Sequence, residues 1–410
     1  MRSCMRISKS AVVVWCVALS ACASKVDHIA DSGNGSGSGS GGGSGAPLTG
    51  VAAISAGIDF ACALMMDGTV RCWGEDDDGQ LGGMVNDPSL RCGSTTCSGA
   101  VAVAGATGGL AIASGLAGSC LLQTPGTVEC WGDNTNGQLG NGSTTSSDSP
   151  VPVTGLANAT AISAGDQTMC ALEAGGGVVC WGAGVLGQIG DDSIMNALTP
   201  TAPTGLASAT AIAAGDGRSC AVIGGAVDCW GDNNLGELGV GTSGHFSDMP
   251  VAAVGVSGAS AVSSFGFTTC ALVGGTVTCW GDDSNGELGT GIVMSQPVVM
   301  AGSSVGGLSN VTAIATGQTN FACALTTGGA VDCWGANAEG ELGNGTTSDS
   351  AIPVPVTGLT GVTAISAGGD FACALLSDHT VQCWGNNNDA QLGNGTTTES
   401  STPTTVIIKS

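Results

Sequence analysis

Apolar and polar residues alternate in short runs along most of the chain, and Gly bounds nearly every run. One stretch reads Pro150-Val-Pro-Val153, then Thr-Ala-Ile-Ser-Ala at 160–164, Cys-Ala-Leu at 170–172 and Val-Val-Cys-Trp-Gly at 178–182. Short, alternating, β-branched segments bounded by Gly are strand signals, so this stretch predicts four strands. The set recurs. Cys-Trp-Gly occurs seven times, with Trp at 73, 131, 181, 230, 280, 334 and 384, spaced 49 to 58 residues apart. A period near 50 with four strands per unit is the signature of propeller blades. The expectation is all-β: a seven-bladed β-propeller of four-stranded antiparallel blades over residues 51–410.

The central hairpin of each unit can be placed in register. With Cys62 opposite Cys72, Met65 faces Thr69 and the loop is Met66-Asp67-Gly68. A three-residue loop wants a left-handed residue third, which Gly68, Gly126, Gly176 and Gly329 supply. In the last unit that position is His379, one of the few other types enriched there. In the fourth and fifth units the Cys separation falls from ten to nine, and the loop shrinks to Gly224-Gly225 and Gly274-Gly275.

Directly opposed Cys residues are close enough for a disulfide. The register predicts Cys62–Cys72, Cys120–Cys130, Cys170–Cys180, Cys220–Cys229, Cys270–Cys279, Cys323–Cys333 and Cys373–Cys383. Cys92 and Cys97 make an eighth pair in the long connection after Trp73. Disulfides in this number belong to an oxidising compartment. Each Trp points to the strand face opposite its Cys neighbour, where it would pack one blade against the next.

The beginning of the chain explains the compartment. Arg2, Arg6 and Lys9 precede a nine-residue apolar run at 11–19, the layout of an export signal and too short to span a bilayer. Leu19-Ser20-Ala21-Cys22 resembles the lipobox of bacterial lipoproteins, which implies cleavage after residue 21 and acylation at Cys22. Ala23 in place of Asp favours the outer membrane or cell surface. Residues 22–50 then form a Gly/Ser-rich tether before the propeller. Three segments result: signal 1–21, lipidated Cys and linker 22–50, propeller 51–410.

Composition fits this. Of 410 residues 72 are Gly and 19 are Cys, and Asp plus Glu outnumber Lys plus Arg by 32 to 8. A formal charge of −24 excludes nucleic acid as a partner, and loss of the three early basic residues leaves the mature chain more acidic still. Contact with the membrane is expected through the lipid alone, and the protein is expected to be a monomer.

The repeat resembles that of the regulator-of-chromosome-condensation family. The likeness rests on the Cys-Trp-Gly strand, the turn Asn134-Thr-Asn-Gly-Gln-Leu-Gly140 and its copies at 233–239 and 283–289, and the Pro-Val strand. Two copies depart from it: the third has Ala183-Gly184-Val185-Leu186 in the turn, and the last has Ala390 for Gly. The resemblance implies a seven-bladed propeller whose ends meet. It does not fix function, because folds of this kind host many functions. The family's eukaryotic founder exchanges nucleotide on a nuclear GTPase, out of reach of an exported lipoprotein. A secreted bacterial member that inhibits β-lactamases works instead as a protein-binding disc.

Where most of the family has a His after the Ala-Ile strand, this chain has Phe60, Gly118, Thr168, Arg218, Thr268, Phe321 and Phe371, preceded by Asp59, Ala117, Gln167, Gly217, Phe267, Asn320 and Asp370. Loops carry function on a rigid scaffold. A ring-shaped binding face is therefore expected from Phe60, Phe267, Phe321 and Phe371, with Asp59, Gln167, Arg218, Asn320 and Asp370 as polar specifiers. No cofactor is expected. The acidic turns, such as Glu75-Asp76-Asp77-Asp78, raise calcium but lack the spaced D-x-D-x-D-G loop. No catalytic residue stands out either: His28 lies in the tether, His379 in a hairpin and His245 in a connection without a nucleophile motif. The leading expectation is a non-enzymatic, lipid-anchored interaction scaffold for an envelope or extracellular protein. A glycan-binding or adhesion module is the alternative, and an extracellular hydrolase comes third.

Overall fold

A computed structural model describes residues 45–83, 96–294 and 298–409. Twenty-eight strands, β1–β28 in chain order, form seven four-stranded antiparallel sheets, each built from four consecutive strands. Blade 1 comprises β1 (Val51–Ala56), β2 (Phe60–Met65), β3 (Val70–Glu75) and β4 (Thr96–Ala102). The innermost strands of successive blades are β1, β5 (Gly109–Ser114), β9 (Ala159–Ala164), β13 (Ala209–Ala214), β17 (Ala259–Phe265), β21 (Val311–Thr316) and β25 (Val362–Ala367). They touch one another in that order, and β25 touches β1. This is a closed seven-bladed propeller. No helix among the described residues is long and apolar enough to cross a membrane.

The ring is closed where residues 46–48 meet residues 406–409. Leu48 N donates to Val406 O at 2.9 Å, Ile408 N to Ala46 O at 2.7 Å, and Ala100 N to Ile407 O at 2.9 Å. The tail thus lies between the entering segment and β4. Leu48 is fully buried in this seam, so the packed ring starts a few residues before Val51.

The hairpin register is as the sequence predicts. Cys62 pairs with Cys72, and Met65 N donates to Thr69 O at 2.8 Å. Gly68, Gly126, Gly176, Gly329 and His379 all have positive φ, and the two-residue loops have it at both glycines, as a type I′ turn requires. Disulfides join Cys62–Cys72, Cys120–Cys130, Cys170–Cys180, Cys220–Cys229, Cys270–Cys279, Cys323–Cys333 and Cys373–Cys383, each across a Cα separation of 4.1 Å. That short separation is typical of a non-hydrogen-bonded antiparallel pair. Cys97 is also disulfide-bonded, while Cys92 lies outside the described residues.

The seven Trp of the Cys-Trp-Gly strands are fully buried. Each indole N–H crosses to the preceding blade and donates to the backbone carbonyl of the Gln or Glu in its turn. Trp131 bonds Gln80 O at 2.9 Å, Trp280 bonds Glu237 O at 2.7 Å, and Trp73 bonds Gln391 O at 2.9 Å across the closing seam. The Gly that ends the turn lies under the same indole. A Cβ on Gly140 would stand 2.8 Å from the Trp181 ring, and its φ of +61° also favours Gly. The Gln-Leu-Gly turn of one blade is therefore the socket for the Trp of the next.

Candidate functional site

Strand direction sorts the connections onto two faces. The hairpins around Gly68 and His379 occupy one. The loops preceding each second strand, residues 57–59 and their equivalents, occupy the other. So do the Asn-x-x-Gly turns and the connections to each outermost strand. We call these the hairpin face and the loop face.

The expected aromatic ring is not on the loop face. Phe60 and Phe371 are fully buried and Phe321 is 2 % exposed; of the four, only Phe267 is presented, at 40 %. The reason is strand alternation. Phe60 stands two residues before Cys62 and so points to the disulfide side, where it joins a core with Ile112 and Leu121 of the next blade. Its ring lies over Gly57, where a Cβ would stand within contact of the ring carbons. Phe321 and Phe371 take equivalent places over Gly317 and Gly368.

Arg218 fills the same wedge in blade 4 and is fully buried as well. Its Nε donates to Ser264 Oγ at 2.7 Å, and its terminal nitrogens donate to the carbonyls of Asp216, Phe265 and Thr268. Three of those four partners belong to blade 5. Burial lowers its pKa, opposed by Glu237, Asp216 and Asp232. Phe60, Phe321, Phe371 and Arg218 are interblade wedges.

The residues one position earlier do reach the loop face. Asp59, Gln167, Asn320 and Asp370 are partly exposed there. Each is tied to the neighbouring turns. Gln167 Oε1 accepts from Asn136 at 2.9 Å, Asp370 Oδ2 accepts from Asn386 at 2.7 Å, and Asn320 Oδ1 accepts from Phe267 N at 3.4 Å. Gln391 Nε2 donates to Asp59 Oδ1 at 3.4 Å, bridging 332 positions of sequence.

Around the seam of blades 7, 1 and 2 this face is crowded with carboxyls. Burial, then the charges of Asp370 and Asp389, raise Asp59 to about 6. Burial, then Asp59, Asp389, Asp77 and Asp78, raise Glu75 to about 7. Asp370 is also raised, by burial against the bond from Asn386, and its Oδ1 has no hydrogen-bond partner among the described residues. No Lys or Arg is exposed on the loop face among the described residues: Arg218 is buried, Arg71 lies within β3 near the hairpin end, and Lys409 is at the closing seam.

The turns hold a second set of acids. Their Gln or Glu side chain accepts from a backbone N–H two residues earlier, as in Asn136 N to Gln138 Oε1 at 2.8 Å and Asn285 N to Glu287 Oε2 at 2.8 Å. Gln138 Nε2 then donates to Asp133 at 2.7 Å. Glu cannot do this while ionised, and Oε1 of Glu237 and of Glu287 has no partner among the described residues. Burial raises Glu287 and Glu341 to about 7, and raises Glu237 despite nearby Arg218.

A small cavity on the axis is lined mostly by Ala and Ser at the ends of the innermost strands, with Thr316 and Phe265. Ser55, Ser163, Ser263 and Ser366 each accept from a backbone N–H of the following blade, so these hydroxyls serve the seams. Among the described residues no group of three or more His, Cys, Asp or Glu is placed to hold a metal ion.

Parts of the chain are similar to a known repeat. The Regulator of chromosome condensation (RCC1) repeat matches residues 125–172 and 329–375, and a second form of that repeat matches 51–80, 159–188, 311–341 and 362–391. The chain is a seven-bladed propeller, and these stretches of it are similar to RCC1 repeats. It is similar in fold to human WBSCR16, with TM-score 0.73 and 22 % identity over 83 % of this chain and 94 % of that one. Prp20p from Saccharomyces cerevisiae gives 0.68 and 19 % over 82 % and 83 %; its structure is described together with its binding properties to Gsp1p and histones. Yeast RCC1 (Prp20) in its complex with Kap60 gives 0.70 and 17 % over 94 % and 91 %. No curated protein matches this chain.

Proposed function

We propose that the protein is a non-catalytic scaffold, exported and anchored through Cys22, whose loop face binds an envelope or extracellular protein rich in basic groups. One observation carries this reading: Asp59, Glu75 and Asp370 are pressed together across the closing seam without a basic neighbour among the described residues. Like charges in a partly dry site repel, and a partner's Lys or Arg would relieve that repulsion. RCC1-type propellers with protein partners, such as yeast Prp20p, support a binding role for the scaffold. The seven disulfides suit an oxidising compartment. The test is capture of a defined envelope protein by the full chain and by Asp59→Asn/Glu75→Gln/Asp370→Asn. Capture should fall at least tenfold and weaken with added salt; undiminished capture contradicts the reading.

A further inference from the structure

The internal repeat supplies its own control for the connections that lead to each outermost strand on the loop face. In blades 2, 6 and 7 these are Ser143-Thr144-Thr145, Thr346-Thr347-Ser348 and Thr396-Thr397-Thr398. There the turn Asn clamps the connection: Asn134 Nδ2 donates to the carbonyls of Ser143 and Thr145, Asn337 to those of Thr346 and Ser348, and Asn387 to those of Thr396 and Thr398.

Blades 3 to 5 differ. Gly184 and Asp283 stand in place of the clamping Asn, and Asn233 in blade 4 reaches one connection carbonyl, Thr242 O. In the same blades the connections carry Ile194, Met195, Phe246, Ile292 and Val293, with Val185 in the adjacent turn. Every one of these six is about half exposed or more, from 48 % for Phe246 to 72 % for Met195. The connection of blade 3 is tied to the outermost strand of blade 4 (Ser247–Ala252), since Asp192 N donates to Asp248 O at 3.0 Å. Solvent-facing apolar side chains gathered on consecutive connections mark an interaction surface. Nothing in blade packing calls for them, because blades 2, 6 and 7 close without them.

We infer that this arc over blades 3 to 5 is an apolar docking surface for an amphipathic segment of a basic partner protein, whose cationic side faces the carboxyls of the same face. Charge complementarity selects that occupant. The arc is bordered by Asp191, Asp192, Asp216, Asp232 and Asp248, with no exposed Lys or Arg on the face among the described residues. A second copy of this chain would set acidic faces against each other. The inference rests on the proposed protein-binding role and adds the partner's chemistry to it.

The probe is a synthetic helical peptide with Leu along one side and Lys along the other, compared with a peptide in which Ser replaces every Leu. Binding is measured by fluorescence polarisation at physiological salt, using the full chain with Cys22→Ser so that no acyl group contributes. Ile194→Ser/Met195→Ser/Phe246→Ser should weaken the Leu/Lys peptide at least tenfold and leave the Ser/Lys peptide unchanged. The substituted side chains are solvent-facing, and an unaltered melting temperature confirms the fold. If Asp59→Asn/Glu75→Gln/Asp370→Asn weakens both peptides while the arc variant weakens neither, the inference fails and the acidic binding face stands. If neither variant matters, both fail. Concentration-dependent dimerisation, or flotation with phosphatidylcholine vesicles, that the arc substitutions abolish would assign the surface to a second copy or to lipid and overturn the inference.

Discussion

The two faces of the propeller are built from the same seven repeats and have different characters. On the hairpin face, the hairpin loops are two or three residues long and take the left-handed conformation at equivalent places. On the loop face, the equivalent positions diverge: Asp59 against Phe267, Thr145 against Met195, Gln138 against Glu287. Where the copies agree, the residues hold the ring together. Where they differ on a solvent-facing connection, folding does not dictate the choice. The wedge position shows the limit of that rule. Phe60 and Arg218 differ because a seam can be filled either by an apolar ring or by a hydrogen-bonded guanidinium.

The largest effect should come from an agreeing position. Trp230→Ala removes a fully buried indole and its 2.9 Å bond to Gln188 O, and should cost about 3–5 kcal/mol in denaturant unfolding. Trp230→Phe should cost less, since it keeps most of the ring and loses the donor. Replacing both Cys170 and Cys180 by Ala comes next, at about 2–4 kcal/mol. Non-reducing mass spectrometry should find all fourteen hairpin cysteines paired as described, and ready alkylation of any of them would break the comparison.

Acidity provides a finer test. Glu287 and Glu341 sit near 7 in the folded protein against an ordinary 4.5. Between those values the folded chain holds protons that the unfolded chain has released. Stability is therefore fullest below pH 4.5 and declines as pH rises towards 7. Melting temperature should fall across that window, and Glu287→Gln/Glu341→Gln should flatten the decline, because Gln already fills this position in blades 1, 2, 3 and 7. Partner binding should run the opposite way. Asp59 and Glu75, at about 6 and about 7, are charged above neutrality and lose charge as pH drops. Capture of a basic partner should weaken below pH 6, by a few-fold.

The scaffold was legible in the sequence because its interactions are local or repeat at fixed spacing. Cys62 faces Cys72 across a short hairpin, and His379 takes the place that Gly fills in other units, with φ of +64°. The aromatic positions read as loop residues because they adjoin the variable loop positions such as Asp59, one residue away. Counting by twos from Cys62 places Phe60 on the buried side of β2, and that signal was available. The acidic seam was not legible, because Asp59 and Asp389 stand at opposite ends of the propeller's sequence and meet only when the ring closes. The apolar arc lies between. Val185 is visible as a departure from the turn pattern, but the exposure of Ile194 and Phe246 follows only from their place on the loop face.

The central claim is that the loop face, and not the hairpin face, meets the partner. Its most direct test is site-specific photo-crosslinking in cells that export the full protein, with the photoreactive residue at Asp77 or Met195 on the loop face and at Asp67 or Asp378 on the hairpin face. Discrete protein adducts should form from positions 77 and 195 and be absent from 67 and 378. Adducts confined to positions 67 and 378 would contradict the account.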